Sequence, residues 1–383
     1  MNSEAVKTRL TGYAYLIEKY RLNVIPNWHT SLVSQTGALR SVIQDGQVES
    51  VYPLSYWPGD RTGDHLEFAF KYDGINIGIL SALFAVLPEE ELVEWISSKP
   101  TGKYARMIWF LFEFLTGKQL PLPDLNKGNY VELLEPDRYY TITSGQRIQR
   151  QRIVNNLLGG RSFCPIIRRT DKLAAKERID VRQRCEEIVT EYSPELLRRA
   201  LSYLYSKETK SSFVIEHIKP SASRTEKFIG LLTLAEHRDF CEKPLLIDVQ
   251  NRIVDPRFRE TDYRLSQNYV GQTIAYQKQL VHYVCPKHED LPELMDGLLV
   301  SHRIMKNGSV PAVIHAAAIA YGFVFMHPFE DGNGRIHRFL IHNILCLQKA
   351  IPKGLMFPIS AAILKIRRCT IFPWKHSQRL SCS

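Results

Sequence analysis

The chain has 383 residues, of which 44% are hydrophobic and 23% are charged. This length predicts two domains, and the composition is typical of an ordinary globular protein. No apolar run reaches the roughly 18 to 20 residues of a membrane span, so no membrane association is expected. Met1–Leu10 lacks the apolar core of a signal peptide, and the seven cysteines form no CxxC pair. We therefore expect unpaired thiols in a reducing, cytoplasmic environment.

The net charge of +10 makes nucleic acid a partner to consider. Nine lysines and arginines and no acidic residue follow Asp331, so most of the positive excess lies in this last part of the chain. A second basic stretch comprises Arg147, Arg150, Arg152, Arg161, Arg168 and Arg169. No zinc-finger spacing, RNP pattern or clear helix-turn-helix accompanies it. We predict a solvated, mostly structural region there, and nucleic acid is not an expected partner.

The part of the chain up to residue 160 predicts an α+β domain whose role, in docking or in regulation, stays open. Pro88–Ser98 and Tyr104–Leu115 predict helices, and Asp137–Ser144 predicts a short strand. Glu67–Tyr72 fits either a strand or a helix. The glycine pair at 159–160 then predicts a break between two domains.

Helical patterns dominate the second part of the chain. Ser193 and Pro194 favour the start of a helix. Further along, Ser212 and Glu216 are four residues apart and share one face of a helix. Val310–Met326 is alanine-rich and predicts a helix, and apolar residues recur at helical spacing again after residue 335.

Between these last two helical stretches lies the run 327–338, HPFEDGNGRIHR. A turn that opens into a helix presents backbone N–H groups and the positive end of the helix dipole to an anion. Arg335 and Arg338 can lie on one face of the second helix, where guanidinium groups match phosphate oxygens. The run therefore predicts a polyphosphate site. A tight hairpin turn is the alternative for its Asp-Gly and Asn-Gly pairs, but the flanking helical patterns disfavour it.

The other polar residues and glycines of the run fit such a site. Gly332 and Gly334 allow positive φ angles and a close approach of phosphate to the backbone. Asn333 tolerates the left-handed conformation and adds a side-chain donor. Asp331 is placed to hold Mg²⁺ together with the phosphates of a substrate. His327 has an ordinary pKa close to neutrality and can take a proton from an attacking hydroxyl.

The run resembles the signature of the Fic family, His-x-Phe-x-Asp/Glu-Gly-Asn-Gly-Arg-x-x-Arg, at every fixed position. The resemblance implies an all-helical core and an enzyme that transfers AMP from ATP to a hydroxyl of a protein side chain. It implies His327 as the base and Asp331 as the Mg²⁺ ligand. It also implies five residues that bind the phosphates of ATP: Gly332, Asn333 and Gly334 as the anion hole, Arg335 at the β-phosphate and Arg338 at the γ-phosphate.

The same resemblance implies an inhibitory helix at about residues 207–217, with the pattern Ser/Thr-x-x-x-Glu-Gly/Asn. Ser212 and Glu216 fill the first and fifth positions of this pattern. His217 departs from it, because the family has Gly or Asn at that position. By resemblance, Glu216 pairs with Arg338 in place of the γ-phosphate and leaves ATP bound unproductively.

Polar and aromatic residues alternate over Tyr263–Tyr283, which predicts an irregular hairpin. In Fic proteins a flap at this position pairs with the backbone of the target, as an added β-strand. The resemblance therefore implies a target-docking flap at Asn268, Tyr269, Val270 and Gly271. An ordinary surface hairpin is the alternative.

These features together predict a mainly α protein with three parts: an α+β N-terminal domain at 1–160, a helical Fic-like core with a β-hairpin flap at 161–364, and an atypical basic tail at 365–383. The leading function is autoinhibited protein adenylyl transfer with ATP and Mg²⁺, onto a protein target that offers a side-chain hydroxyl. Two alternatives stay open, removal of AMP with the help of Glu216, and a truncated, inactive member that binds protein or nucleic acid. A homodimer also stays open.

Overall fold

The computed structural model describes residues 8–35, 37–216, 219, 221–275 and 278–365, without the side chains of 272–279. The chain divides into two compact units. The first contains the chain up to residue 135 together with 144–156, and the second contains 136–143 and the chain from 157 onward. His217 and, after Lys365, the predicted basic tail lie outside the described residues.

The first unit has seven strands and five α-helices in its described residues. A 3₁₀ turn follows the fourth strand and a π-helical turn follows the second helix. The elements in chain order are β1 (Thr8–Thr11), α1 (Gly12–Tyr20), β2 (His29–Ser34), β3 (Arg40–Gln44), β4 (Gln47–Pro53), α2 (Thr62–Phe68), α3 (Ile77–Phe84), α4 (Glu89–Ser98), α5 (Lys103–Thr116), β5 (Val131–Glu132), β6 (Gln146–Ile148) and β7 (Ile153–Asn155).

Two sheets organise this unit. The larger has the strand order β1-β2-β4-β3, and its central pair β2–β4 is parallel while the outer pairs are antiparallel. The smaller has the order β5-β7-β6. The core beside the sheets is aromatic, because α4 buries Trp95 and α5 buries Trp109 and Phe112. The N-terminal region is therefore α+β, as predicted.

Four of the predicted elements in this region have a clear outcome. The helices predicted at Pro88–Ser98 and Tyr104–Leu115 are confirmed as α4 and α5. The ambiguous segment Glu67–Tyr72 is helical, since it ends α2 and continues into the π-helical turn. The strand predicted at Asp137–Ser144 is wrong, and Tyr139 makes only an isolated bridge. Residues 139 and 140 are both buried, so the segment lacks the alternation of a strand.

The second unit is helical, with a single hairpin among its described residues. Its elements in chain order are α6 (Asp171–Glu177), α7 (Val181–Glu191), α8 (Pro194–Ile215), α9 (Ala222–Leu234), α10 (Lys243–Ile253), β8 (Tyr269–Ala275), β9 (Lys278–Val284), α11 (Leu291–Asn307), α12 (Ala312–Met326), α13 (Asn333–Leu347) and α14 (Ile359–Lys365). The chain is thus mainly α, as predicted.

Local sequence explains the two helices that bound the run 327–338. α12 packs against both α11 and α13, which is why apolar residues occupy most of its circumference. α13 buries one face, including Ile336, Phe339 and Leu340, as its helical spacing predicts. The predicted helix–loop–helix is confirmed, and the hairpin alternative is wrong. None of the described helices combines the length and hydropathy that a bilayer span requires.

The long helix α8 is held at its middle by a buried carboxylate. Ser193 caps its first turn by accepting a hydrogen bond from the Leu196 backbone N–H at 3.3 Å. Four turns on, Glu208 is buried and accepts hydrogen bonds from the backbone N–H and hydroxyl of Ser360 and from His342 Nε2. One carboxylate therefore links α8 to α13 and to the first turn of α14.

We predict that Glu208→Ala lowers the free energy of unfolding by about 3 kcal/mol, because it leaves buried donors of Ser360 and His342 without an acceptor. Chemical denaturation measures the loss. Glu195→Ala is the matched control on the same helix: its side chain is exposed and pairs only with Arg199, so we expect a change within about 1 kcal/mol. Equal losses in the two variants would contradict the bracing role of Glu208.

Candidate functional site

The loop between α12 and α13 is a compact turn built around a buried ring. His327 ends α12 in the left-handed conformation, with φ 53° and ψ 60°, which histidine adopts more readily than most residues. Phe329 is fully buried. The Asn333 side chain brackets it, because Oδ1 accepts from the Phe329 N–H at 3.0 Å and Nδ2 donates to the Phe329 carbonyl at 2.6 Å. The left-handed conformation expected for Asn333 is therefore wrong: the residue begins α13 outside the left-handed region, and its side-chain amide closes the loop.

His327 presents one ring nitrogen as a proton acceptor. Its Nδ1 lies 3.0 Å from the Val324 carbonyl, which can only accept, so Nδ1 carries the proton and Nε2 keeps its lone pair. Burial lowers the pKa of His327, and the positive charge of Arg264 acts in the same direction. The carboxylates of Glu216 and Asp331 oppose this shift. The imidazole is therefore neutral at pH 7 and suited to accept a proton.

Two buried arginines on α13 converge on the carboxylate of Glu216. The Arg335 side chain is 0% exposed and that of Arg338 is 4% exposed. Arg338 Nη2 donates to Glu216 Oε1 at 2.7 Å, and Arg335 Nε lies 2.7 Å from Oε2. Arg338 also donates from Nε to the Ser212 hydroxyl at 2.9 Å and from Nη2 to the Ser212 carbonyl at 3.0 Å. The site thus binds an anionic group of the chain itself.

Glu216 lies just outside the C-terminal end of α8. The helix stops at Ile215, and Glu216 is the residue just beyond it. Within the predicted segment 207–217, residues 207–215 are therefore the last part of a 22-residue helix, and Glu216 is its C-cap. A carboxylate in this position can turn away from the arginines without the loss of a helical hydrogen bond from the body of α8.

The two glycines of the loop act differently. Gly332 has φ 93° and is the N-cap of α13, where it offers no side-chain acceptor to the first helical N–H groups. Those groups remain available to an anion. Gly334 has no positive φ, so that expectation is wrong for it. A Cβ atom there would lie 2.6 Å from Glu216 Oε1 and 3.1 Å from Arg338 Nη1, so Gly334 provides space for the anion.

Asp331 stands at the mouth of this site with its side chain 31% exposed. Its Oδ1 accepts from Arg335 Nη2 at 2.8 Å, while its Oδ2 accepts no hydrogen bond from any described residue. The buried Gln250 holds the loop from below, donating from Nε2 to the Asp331 carbonyl at 3.4 Å and to Glu260 Oε1 at 3.2 Å. Glu260 in turn accepts from the Glu330 N–H at 2.9 Å.

Glu260 is a titratable group beside the loop that the sequence analysis missed. Burial raises its pKa to about 7, and the carboxylates of Glu330 and Asp331 add to the increase. Its acidic neighbours lie about 70 residues further along the chain, so no local pattern indicated the cluster. The same holds for Gln250 and Arg264, whose partners in the loop, Asp331 and His327, lie 81 and 63 residues away in sequence.

A different group of potential metal ligands occurs among the described residues. Asp239, Cys241 and His302 offer ligand atoms within 4.8 Å of one another. His302 Nε2 and the Lys306 ammonium both lie within 2.9 Å of Asp239 Oδ2. Burial raises the pKa of the Cys241 thiol well above its usual value. The contacts describe a hydrogen-bonded network rather than a metal centre, and the group does not include Asp331.

The hairpin β8–β9 begins beside the loop. Asn268 precedes it, donates from Nδ2 to the Phe329 carbonyl at 3.4 Å, and accepts from the Cys285 N–H at 3.0 Å. Tyr269, Val270 and Gly271 lie on β8, with a register shift between the last two. The predicted irregular hairpin is confirmed. Its sheet has only two strands, so the outer edge of β8 has no strand partner among the described residues.

The sequence of this region agrees with a known domain. Residues 241–345 match the model of the Fic/DOC family. The chain carries a Fic/DOC domain. Proteins of this family generally transfer nucleotide-derived groups onto proteins. The matched segment contains the hairpin, the loop and most of α13, whereas Ser212 and Glu216 precede it, so the anion on the arginines comes from outside the matched part of the chain.

Solved structures of Fic proteins resemble about half of the chain. One is a Fic family protein from Desulfovibrio desulfuricans G20, with 20% sequence identity and a TM-score of 0.42. The match covers 54% of this chain and 66% of the Desulfovibrio chain, which is just under two thirds of its length. Another is a Fic domain containing signaling protein from Bacteroides thetaiotaomicron VPI-5482, with 16% identity, a TM-score of 0.38, and coverage of 53% and 88%. No curated protein matches the sequence.

We predict that Glu216→Gly raises the affinity of the Fic domain for inorganic pyrophosphate about tenfold, because two buried cations then face an open anion site. Isothermal titration calorimetry measures the change. Glu191→Gly is the matched control, since it removes an exposed carboxylate at the end of α7. The same affinity in both variants would show that Glu216 does not compete with phosphate for the arginines.

Proposed function

We propose that the protein transfers AMP from ATP to a hydroxyl of a protein side chain and that Glu216 inhibits the transfer. The observation that carries this proposal is the ion pairing of one carboxylate with both Arg335 and Arg338, next to His327. A site that binds a carboxylate on two guanidinium groups, at the N-terminal end of a helix, is also suited to phosphate. The family match supports a nucleotide-derived donor.

The phosphates of ATP are assigned to the same donors that the resemblance implies. The first N–H groups of α13, at Asn333 and Gly334, face the α- and β-phosphates. Arg335 contacts the β-phosphate and Arg338 the γ-phosphate, where it replaces its contact with Glu216. Most of the catalysis then comes from positioning and charge neutralisation, as in other phosphoryl and nucleotidyl transfers.

The chemical step is an in-line displacement at the α-phosphorus. The target hydroxyl oxygen forms a bond to this phosphorus while the bond to the β-phosphate oxygen breaks, and pyrophosphate leaves with the bonding electrons. His327 Nε2 takes the hydroxyl proton, which its free lone pair and lowered pKa allow. The Val324 carbonyl stabilises the resulting imidazolium through Nδ1–H.

Asp331 fits a Mg²⁺ ion that accompanies the nucleotide. Its Oδ2, which accepts no hydrogen bond from the described residues, is a hard carboxylate oxygen. The partial exposure of the side chain leaves room for water and phosphate oxygens, the other ligands that Mg²⁺ prefers. When bound, Mg²⁺ neutralises charge on the phosphates. Arg335 holds the Asp331 carboxylate through Oδ1, and Gln250 holds the Asp331 carbonyl, so this chain orients the ligand before the nucleotide arrives.

The hairpin provides a dock for the target. The outer edge of β8 has no strand partner among the described residues and can pair with an extended segment of a partner. Asn268 ties the start of this edge to the Phe329 carbonyl in the loop. A hydroxyl carried on the paired segment is thereby brought to the loop that bears the base.

We predict opposite effects for two substitutions in the transfer reaction. His327→Ala abolishes transfer because the hydroxyl loses its base, and Glu216→Gly raises transfer at least about tenfold because Arg338 becomes free for the γ-phosphate. Retention of label from ATP labelled at the α-phosphate, on the protein itself or on an added target, measures both. The double variant is expected to behave like His327→Ala.

The opposite outcomes have distinct meanings. Label that is unaffected by His327→Ala would contradict the role of the base. Faster removal of AMP from a modified target by the unaltered protein than by Glu216→Gly would support the alternative in which Glu216 acts in hydrolysis. Failure of every variant to retain label, together with weak ATP binding, would favour an inactive binding module.

We predict that the acid limb of the pH profile of kcat/KM lies below the ordinary histidine value of about 6.5. The free enzyme determines this limb, and burial lowers the pKa of His327, so the neutral base persists to lower pH and is lost only as the pH falls through the lowered pKa. The Glu216→Gly variant is suitable for the measurement, because it also lacks a carboxylate that raises this pKa. A limb at or above 6.5 would contradict the assignment of His327.

A further inference from the structure

Arg264 is a buried cation at the start of the hairpin, with 2% of its surface exposed. Its guanidinium donates to three backbone carbonyls: Nε to His327 at 2.8 Å, Nη1 to Ser266 at 2.5 Å, and Nη2 to Pro286 at 2.7 Å. The Arg264 backbone N–H donates to the Pro328 carbonyl at 2.8 Å. The Arg264 guanidinium forms no ion pair with a carboxylate in the described part of the chain.

These three carbonyls belong to parts of the site that have different tasks. Ser266 lies just before β8 and Pro286 just after β9, so the guanidinium joins the two ends of the hairpin. His327 carries the base that the proposed reaction uses. A second contact also links the start of the hairpin to the loop, because the Ser266 hydroxyl donates to Glu330 Oε1.

The arrangement requires an arginine. A guanidinium has five N–H donors in a planar fork and can reach three acceptors in different directions, whereas an ammonium group is a point-like donor. Burial of a charged group without a counter-ion is costly. A neutral or shorter side chain would leave at least one of the three carbonyls without its donor.

We propose that Arg264 is a positioning residue, which holds His327 at a fixed place relative to the two ends of the hairpin. The proposal rests on the proposed function, in which the hairpin presents the target hydroxyl to His327 Nε2. Arg264 thereby connects the base to the hairpin that docks the target, so this one side chain fixes the distance between the base and the target hydroxyl. A displacement of about 1 Å between two reacting groups is enough to slow a reaction about a hundredfold.

The charge of Arg264 supports the same role. After burial, the charge of Arg264 is the next influence that lowers the pKa of His327. It acts against the hydrogen bond to the Val324 carbonyl and the carboxylates of Glu216 and Asp331, which raise this pKa. Arg264 thus affects the base in two separable ways. Its hydrogen bonds determine position, and its charge favours the neutral imidazole.

The test compares Arg264→Lys, Arg264→Gln and a control, Arg257→Gln, whose exposed arginine pairs only with Asp255. All are made in the Glu216→Gly protein. The first readout is the titration of the His327 ring by NMR of histidine-labelled protein, with the signal assigned by its loss in His327→Ala. We expect a pKa higher by about half a unit or more in Arg264→Gln, and no upward shift in Arg264→Lys or in the control.

The second readout is nucleotidyl transfer. We expect kcat to fall about tenfold to a hundredfold in both Arg264 variants, with the KM for ATP changed less than about twofold, because ATP binding does not use this residue. Unaltered kcat in a folded Arg264→Lys or Arg264→Gln protein would overturn the proposal. If Arg264→Gln does not fold, the kcat of the charge-preserving Arg264→Lys variant tests the proposal by itself.

The two readouts separate failure of this proposal from failure of the proposed function. Without transfer in any variant, the NMR titration still reports whether Arg264 acts on His327. An unshifted His327 titration in Arg264→Gln would then count against the proposal, whatever the reaction of the protein is.

Discussion

The burial of two guanidinium groups, those of Arg335 and Arg338, is the constraint on which the helical unit depends. Buried cations are tolerated only when an anion and further acceptors surround them. Glu216 supplies the anion, the Ser212 carbonyl and hydroxyl serve Arg338, and the Ile253 carbonyl serves Arg335 at 2.6 Å. The ends of α8 and α10 therefore have to meet the first turns of α13.

This constraint also explains how the proposed phosphate site can be stable without phosphate. A buried ion pair often stabilises a protein no more than apolar side chains of the same volume would. Removal of one partner, however, is strongly destabilising, because it leaves the other charge buried and unpaired. Glu216 is such a partner, and it is placed beyond the last residue of α8. Its helix is braced elsewhere by Glu208, so the carboxylate can leave the arginines while the helix keeps its place. Replacement of Glu216 by another anion is then a local event.

The loop between α12 and α13 is also held by side chains that lie around it in the fold. Asn333 brackets Phe329, Gln250 supports Asp331, and Arg264 binds the His327 carbonyl. None of these three side chains needs to touch a substrate to affect the proposed reaction. They determine where His327 and the candidate cation ligand Asp331 stand relative to each other and to the hairpin.

Much of the site was predictable because its determinants are adjacent in sequence. The run 327–338 combines a base, a carboxylate, glycines and two arginines between helical patterns, and each choice has a local physical reason. The cap at Ser193 and Pro194 predicted the start of α8, and alternation over Tyr263–Tyr283 predicted the hairpin, which the structure places at 269–284. The misassigned strand at Asp137–Ser144 shows the limit of such reasoning, because two consecutive buried tyrosines satisfied strand propensity while tertiary packing decided their environment.

The sequence by itself determined the chemistry that the site can offer, since residue type and local spacing set the base, the anion-binding turn and the helices beside it. Only the tertiary structure decided which side chains complete it. The side chains of Arg264, Gln250 and Glu260 bind backbone groups that lie 63 to 81 positions away in the sequence. Because nearly every residue type carries the same backbone groups, the sequence does not show which residue will be the partner. Long-range hydrogen bonds to the main chain are therefore invisible to sequence patterns, although here they hold the base, the loop and the hairpin together.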